Sequence, residues 1–492
     1  MKLYIDDKTN SAKPLYYQSL VLLFLPCEKF GENDTENALY VKAYRENDKN
    51  CVFVRLEALG RVSEERAVQT ADDSVFSQMK NLIGRTILKA AFKIFGKMPP
   101  WGISTGVKPV KLARIFVSAF GREEAIRILC EEYMIKPDKA KMAADACIYE
   151  DKLMKNTGVN PCSLYISVPF CPTKCNYCSF VSCTTPRLLS LIPDYLKRVD
   201  EELSLISDAV KLNGLNIQSI YVGGGTPAIL TAEQIEFLLT SVYNKFSFDK
   251  NTEFTFEAGR PDCITEEKLK VLSDFGVPRI SINTQTTNDE ILKAVGRNHT
   301  YADFLRALEA ARKFDFKCIN TDIIAGLPGE SAESFCKSVT DVASLCPENI
   351  TVHAFTLKRS SNYRIEGEKS YTLDSQVAED MTDFSASFLA DKGYTPYYVY
   401  RQKNTISNLE NAGFSKSGFE SIYNVIMMGE YHTVFGAGAG SVTKIITQNG
   451  GRVDRIFSPK YPYEFLDRNK YSGFDTKLVS DIIRKGDNFG KG

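Results

Sequence analysis

Histidine and tryptophan are nearly missing from this chain, whose 492 residues hold three histidines, His299, His353 and His432, and a single tryptophan, Trp101. A net charge is missing too. With 61 basic and 61 acidic side chains, no global field recruits nucleic acid or an anionic membrane surface, so neither is expected as a partner. Long apolar runs are also absent. The most apolar segment, Leu20 to Pro26, is far below the roughly 20 residues that a membrane span needs, and it reads as a buried strand. The first residues show no charged head, apolar core and small-residue cleavage site of a secretory signal. Thirteen cysteines, an odd number, argue against a disulfide framework. A cytoplasmic protein of ordinary globular make-up is expected, with 43% hydrophobic and 25% charged residues near the globular average.

What the chain does have is a compact cysteine group. Cys171, Cys175 and Cys178 are separated by three and then two residues, directly after the strand-like run Leu164 to Phe170. Four thiolates are the rule for an iron–sulfur cluster that only carries electrons, so three imply an iron with a position free for a small molecule. Two other readings compete. Buried free cysteines behave as small apolar residues. A structural zinc site would need a fourth ligand, for which Cys162 or Cys183 would have to serve, because the histidines lie far from the group.

The middle of the chain alternates short apolar runs with helical patterns, the mark of a parallel sheet with crossover helices. Strands are expected at Leu164–Pro169, Ser219–Gly223, Glu253–Glu257, Arg279–Asn283, Cys318–Ile324 and Ile350–Phe355, with helices near 191–212, 232–245, 266–275, 301–314 and 332–345. Ile235, Leu238, Leu239 and Val242 lie on one helical face, and Thr231 with Gln234 forms a capping box. Six such units fall short of the eight of a closed barrel. The fold class is therefore α/β, an incomplete (βα)6 TIM-like barrel at 156–370, with an N-terminal α+β domain at 1–155 and a C-terminal accessory domain at 371–492; so long a chain exceeds what one core supports.

In the N-terminal domain, alternating stretches at Leu3–Ile5 and Val52–Leu56 precede helices around 74–95, 107–119 and 123–133. Its segment from Pro99 to Pro109 carries Trp101 and reads as a domain-junction anchor before a substrate contact. Beyond the barrel come a helix near 374–392, an aromatic run from Tyr394 to Tyr400, and Gly436-Ala437-Gly438-Ala439-Gly440. That glycine run lacks the strand–helix spacing of a phosphate cradle, so it reads as a turn or a tight packing site.

Active sites in βα architectures gather at the carboxyl ends of the strands. There this sequence places the cysteine loop, Gly223-Gly224-Gly225-Thr226-Pro227, Glu257, Gln285, and Asp322 followed by Gly326-Leu327-Pro328. Tyr165-Ile166-Ser167-Val168-Pro169-Phe170-Cys171 through Asn176-Tyr177-Cys178 resembles the cluster loop of radical S-adenosylmethionine enzymes. Together with Gly223 to Pro227, Glu257, Gln285, Arg297 between Gly296 and Asn298, and Asp322 to Pro328, it resembles the oxygen-independent coproporphyrinogen III dehydrogenase family. The Trp101 segment and Arg401-Gln402-Lys403-Asn404 resemble a longer branch of it.

That resemblance implies a [4Fe–4S] cluster on Cys171, Cys175 and Cys178, with S-adenosylmethionine chelating the open iron. It also implies contacts to this cofactor, or to a second copy of it, from Tyr165, Tyr177, Gly224, Gly225, Thr226, Glu257, Gln285, Arg297 and Asp322. The implied activity is oxidative decarboxylation of coproporphyrinogen III to protoporphyrinogen IX in haem biosynthesis. A 5′-deoxyadenosyl radical removes hydrogen from a propionate, and loss of carbon dioxide and one electron leaves a vinyl group, twice per molecule. Implied partners are a porphyrinogen and a reducing donor such as flavodoxin or ferredoxin. Lys358, Arg359 and Arg401 are candidates for the substrate carboxylates, against a reading as solvated surface charges.

The pattern departs from the family in places. Phe180 stands where the best-characterised members carry a fourth cysteine, and Ser167 where they have histidine. A Cys-x-Phe ending marks the haem-delivering branch, yet the His-Asn and Tyr-Trp pairs of that branch are absent. An enzyme and a haem-binding delivery protein, or another porphyrin-modifying enzyme, are the readings carried forward. If three thiolates hold the cluster, Cys175→Ser removes most of the iron and the brown absorbance of anaerobically reconstituted protein, whereas Cys183→Ser leaves both largely intact. Equal damage from the two changes refutes the three-ligand assignment.

Overall fold

The structure, a computed structural model, describes residues 1–26, 28–31, 36–70, 78–178, 180, 182–356, 375–402, 408–446 and 453–488. These residues cluster into two units, Met1–Ile148 with Val399–Glu410, and Tyr149–Tyr398 with Asn411–Gly492. Lys358, Arg359, Lys403 and Asn404 lie outside the described residues.

The first unit is built on a four-stranded sheet, β1 (Lys2–Asp7), β2 (Ala38–Glu46), β3 (Lys49–Ala58) and β4 (Arg61–Thr70), paired in that order. Two-residue turns join the last three strands, and they need positive φ at both positions to match the strand twist. Asn47 and Asp48 (φ 47° and 59°) and Leu59 and Gly60 (φ 53° and 70°) supply it. In β3 the alternation expected over Val52–Leu56 holds: Val52, Val54 and Leu56 are buried, and with Leu39 and Val41 they belong to the core that includes Ile83, Ile87 and Leu88 of the helix Met79–Phe95. Helices follow at Pro109–Phe120, Arg122–Tyr133 and Pro137–Met154, the last of which the sequence pattern had not signalled.

Leu20 to Pro26 is not a strand. The helix Pro14–Val21 runs through Leu20 and Val21, and the chain then turns, with Leu22 N–H bonded to the Gln18 carbonyl and Phe24 N–H to that of Val21. Tyr17, Leu20, Val21 and Phe24 are the buried positions, an i, i+3, i+4, i+7 set that shows only when the window opens upstream of the apolar run.

Trp101 is buried in this same unit, where its Nε1–H donates to Glu410 Oε2 at 2.8 Å. Lys139 pairs with the other oxygen of Glu410, and the two side chains are 1% and 2% exposed. Arg401, expected at a substrate mouth, is instead buried. Its Nε donates to the Asn408 carbonyl at 2.9 Å, its Nη1 to the Ser104 and Gly106 carbonyls, and its guanidinium lies 5.7 Å from the Trp101 ring centroid. Its Nε and Nη1 donors are spent on backbone carbonyls, so Arg401 is a structural tie.

The second unit carries six parallel strands in chain order: β5 (Pro161–Val168), β6 (Asn216–Gly224), β7 (Glu253–Gly259), β8 (Arg279–Ile282), β9 (Cys318–Ala325) and β10 (Asn349–Ala354). Crossover helices include Ile192–Leu212, Ala232–Lys245, Glu266–Asp274, Tyr301–Ala311 and Ala332–Ser344, each within a few residues of its expected place. Thr231 and Gln234 do close a capping box. The sheet stays open, because β5 and β10 each find a partner other than one another.

β11 (Thr395–Arg401), β12 (Glu410–Ser415), β13 (Thr433–Ala437), β14 (Val442–Ile446) and β15 (Val453–Phe457) extend this sheet to eleven strands. β13 runs parallel to β5 and β12 antiparallel to β10. The residues expected as a separate C-terminal domain, 371–492, are thus shared out: Val399–Glu410 clusters with the first unit and the rest with the second.

The glycine run at 436–440 is a packing site. Gly438 N–H donates to Glu202, Ala439 N–H to the Tyr195 hydroxyl, and a Cβ on Gly438 would come within 2.4 Å of that hydroxyl. Removing one member of a buried ion pair leaves an uncompensated charge and costs about 3–5 kcal/mol. Glu410→Ala, which strands Lys139 and frees the Trp101 indole, is therefore expected to lower the urea midpoint of unfolding, whereas Lys197→Ala, at an exposed pair, leaves it unchanged.

Candidate functional site

β5 ends at Val168, and the next residues form the cysteine loop. Its base is closed by backbone: Cys183 N–H donates to the Pro169 carbonyl at 2.9 Å, and Cys171 N–H to the Cys183 carbonyl at 3.1 Å. Phe170 is buried edge-on against Tyr195, with centroids 5.1 Å apart. At the far end Asn176 N–H reaches the Val295 carbonyl and its Nδ2 that of Ala294.

The end of β6 lies directly against this loop. Gly225 N–H donates to the Val168 carbonyl at 2.9 Å and Thr226 N–H to that of Phe170 at 2.8 Å. A Cβ on Gly225 would sit 2.5 Å from the Phe170 oxygen and 2.9 Å from Cys171 Sγ, so only glycine fits. Thr226 Oγ1 is 3.4 Å from Cys171 Sγ.

Cys171 and Cys175 are buried and Cys178 is half-buried. Burial pushes the Cys171 thiol up to about 12, with Cys178 and Cys175 adding to it, so the three sulfurs are close enough to feel one another. Among the described residues no three His, Cys, Asp or Glu side chains close on a point as a single ion requires. Cys183 lies near Tyr195 and Tyr463, and burial raises its thiol pKa. Phe180 is 66% exposed and offers no ligand.

Around the loop the expected polar residues come together. Arg297, at the foot of the loop after the helix Asp289–Ala294, directs Nε to the Tyr177 hydroxyl (3.2 Å) and Nη1 to the Asn283 carbonyl (3.1 Å). Burial works against its charge, but Tyr177 and Cys175 outweigh that and hold it protonated. Gln285 adopts φ 73°, a conformation that costs a non-glycine residue free energy. It is held there by β9, since Gln285 N–H bonds the Asp322 carbonyl and Ile324 N–H bonds the Gln285 carbonyl, both at 2.9 Å.

The two carboxylates of the site are driven apart. Both keep a little exposed surface yet lie deep enough for burial to be the first influence on each. For Glu257, burial and then Asp322 raise the pKa to about 8, against the opposing pull of the Tyr221 hydroxyl at 3.4 Å, the Arg297 charge and the Gly224 backbone. Asp322 feels the same burial, but His353 and Asn320 (Nδ2 to Oδ1, 2.8 Å) bring it below its usual value. Near neutral pH the site therefore holds a protonated Glu257, an ionised Asp322 and a charged Arg297.

Tyr165 stacks on Tyr221 and on Tyr423, which itself stacks on Tyr221 at 4.6 Å. Tyr423 arrives from the helix Ile422–Gly429, whose first turn is capped by Glu253: its carboxylate accepts from the Ser421 hydroxyl and from Ile422 and Tyr423 N–H. Sequence reasoning missed Tyr423, Asn283, Arg260 and His353. His353 Nε2 lies 3.8 Å from Asp322 Oδ2, and its Nδ1 lies 3.2 Å from Asn411 Oδ1. A signal existed for three of them, since His353, Arg260 and Asn283 sit at or just past strand ends. Ser167 donates to the Ala439 carbonyl, and its hydroxyl lies beside Gly224 and Tyr165.

An open parallel sheet with three thiols in the loop after its first strand, and an arginine and two divergent carboxylates beside them, is the architecture of a radical S-adenosylmethionine protein, and the family model of the Radical SAM superfamily matches residues 165–342. The chain is 35% identical over 98% of its length to the oxygen-independent coproporphyrinogen-III oxidase-like protein HemZ of Bacillus subtilis, covering 97% of that protein. It is 29% identical over 66% of its length to the heme chaperone HemW of Haemophilus influenzae, covering 80% of it. Coproporphyrinogen III oxidase (HemN) from Escherichia coli shares the fold, with a TM-score of 0.52 at 21% identity over 66% of this chain and 73% of that one. This chain belongs to the radical S-adenosylmethionine superfamily, among its coproporphyrinogen oxidase-like members.

The family uses a [4Fe–4S] cluster and S-adenosylmethionine, and the residues present fit both. Thiols that perturb one another beside a Cβ-free wall suit a cluster, and thiolate ligation would release the Cys171 proton. Arg297 offers a cation suited to a carboxylate, and Asp322 an acceptor suited to hydroxyl groups.

The Glu257 pKa carries a pH consequence. Its folded value lies above the unfolded one, so from about pH 4.5 to about pH 8 the native state keeps a proton that the unfolded chain has lost, and stability falls as pH rises. Glu257→Gln is thus expected to gain stability over the cluster-free wild type at pH 8.5 and to lose that advantage near pH 4. Urea midpoints at the two pH values measure it, and an advantage independent of pH would refute the assignment.

Proposed function

We propose that this protein is a radical enzyme acting on a porphyrinogen, in the sense of the reaction in which coproporphyrinogen III loses two propionate carboxyls to give protoporphyrinogen IX. The observation that carries this reading is the gathering of Arg297, Asp322, Glu257 and Gln285 around the cysteine loop, in a chain related along nearly its whole length to a coproporphyrinogen oxidase-like protein. Cys171, Cys175 and Cys178 would hold the cluster. When bound with S-adenosylmethionine, it supplies a radical able to abstract hydrogen from carbon, chemistry that belongs to the cofactor.

The chain's own residues bind and orient. Arg297, fixed by Tyr177, would pair with the cofactor carboxylate, and open carbonyls of the Gly223–Gly225 run would accept from its ammonium. Asp322, kept ionised by His353 and Asn320, would accept from ribose hydroxyls. Glu257, kept protonated, can donate one hydrogen bond. The tyrosine stack excludes water from the face beneath. Electrons would come from a small reductive donor of the flavodoxin or ferredoxin kind.

Phe180 in place of a fourth cysteine, together with the HemW relatives, supports a second reading, haem delivery by a protein that keeps the cluster. Trp101, the single tryptophan, is buried in the first unit, so it does not supply the haem-branch motif. One anaerobic incubation separates the two. Reconstituted protein with dithionite, S-adenosylmethionine and coproporphyrinogen III is expected to form 5′-deoxyadenosine and a vinyl-bearing product, and Arg297→Gln to cut both at least tenfold. Stoichiometric haem binding with neither product would establish the second reading instead.

A further inference from the structure

Arg260 is the first residue after β7, and its guanidinium is aimed at the cysteine loop. The residue is 3% exposed. Its Nε and Nη2 form a two-pronged pair with Asp262, at 3.0 Å to Oδ1 and 2.8 Å to Oδ2. Nη1 reaches the other way and donates to Thr173 Oγ1 at 2.6 Å, with the Thr173 carbonyl at 3.4 Å. Thr173 lies between Cys171 and Cys175, so the clamp grips the middle of the ligand segment. The neighbouring charges are those of Asp262, Arg297 and the Cys175 sulfur. His299, 3.9 Å from Asp262, adds none, because burial brings its pKa down to about 4.

We propose that Arg260 is a positioning residue that pins the cysteine loop through Thr173 and, by presenting the positive end of the Arg260–Asp262 pair to the cluster, raises its reduction potential. The inference rests on Cys171, Cys175 and Cys178 holding a [4Fe–4S] cluster. Reduction adds negative charge to the cluster. A buried cation on one side stabilises the reduced form more than the oxidised one, and charge and hydrogen bonding are the levers by which proteins set such potentials. The paired carboxylate lies behind the guanidinium, so the field at the loop is that of an oriented dipole in a poorly screened site.

Three full-length variants test this, each reconstituted anaerobically, assayed for iron, and titrated with redox mediators while the reduced-cluster EPR signal is followed. Arg260→Met leaves Asp262 facing the loop without its partner. Its midpoint is expected to move to more negative potential by about a tenfold change in the oxidised-to-reduced ratio, ~59 mV for one electron. Arg260→Lys keeps the charge and is expected to stay near the wild-type midpoint. Asp262→Asn frees the cation of its counter-charge and is expected to shift the midpoint positive.

A fully loaded Arg260→Met with the wild-type midpoint overturns the inference, as does an equal shift in the Met and Lys variants. Should Arg260→Met take up no iron, Asp262→Asn decides alone, a positive shift supporting the inference and no shift or a negative one overturning it. A wild type that itself takes up no cluster refutes the ligand reading, and this inference falls with it.

Discussion

The contact between the end of β6 and the cysteine loop constrains everything else in the site. Gly225 and Thr226 give their N–H groups to the carbonyls of Val168 and Phe170, and no Cβ fits between Gly225 and Cys171. Those two donors are spent on the loop and are not available to a ligand. The loop is tied further at its base by Cys183 backbone, at Thr173 by Arg260, at Asn176 to Ala294 and Val295, and at Tyr177 by Arg297. The chain between Cys171 and Cys178 is therefore fixed before any iron arrives, which lowers the ordering entropy that ligation must overcome.

Electrostatics divide the same small volume into parts with different tasks. Two carboxylates this close cannot both ionise cheaply, and the tie is broken by partners: His353 and Asn320 bring Asp322 below its usual value, while Tyr221, Arg297 and the Gly224 backbone do not offset what burial and Asp322 do to Glu257. Asp322 is thus the anion and Glu257 the neutral acid. On the loop side Arg297 supplies the cation. A zwitterion with a polar sugar meets complementary groups in such a site, whereas a simple anion would meet Asp322 as well as Arg297.

How much of this is legible in the sequence depends on the range over which each feature is decided. Strands β5 to β10 and their helices follow from local periodicity, and their order places Glu257 near the end of β7 and Asp322 within β9 without any knowledge of contacts. Leu20 to Pro26 misleads because six apolar residues in a row carry no period of their own, and only Tyr17 upstream reveals the helix. Arg401 looks like a surface cation because nothing nearby in sequence announces the carbonyls of Ser104 and Gly106 that surround it. Tyr423 is hidden for the same reason. Its place is set by Glu253, far away in sequence, at the other end of a strand whose Glu257 it approaches.

That last arrangement explains why the C-terminal residues join the sheet rather than standing apart. The barrel is open, so strands beyond the six must cover its edges, and β12 and β13 do so on the two sides. Once β13 is laid beside β5 with Gly436 opposite Tyr165, the preceding helix Ile422–Gly429 falls where Glu253 can cap it, and Tyr423 completes the stack with Tyr165 and Tyr221. The floor of the site is therefore a consequence of edge protection. A chain cut after β10 would keep every candidate ligand and lose Tyr423, on which Tyr165 and Tyr221 stack, so the candidate site draws on residues well past 342, where the superfamily match ends.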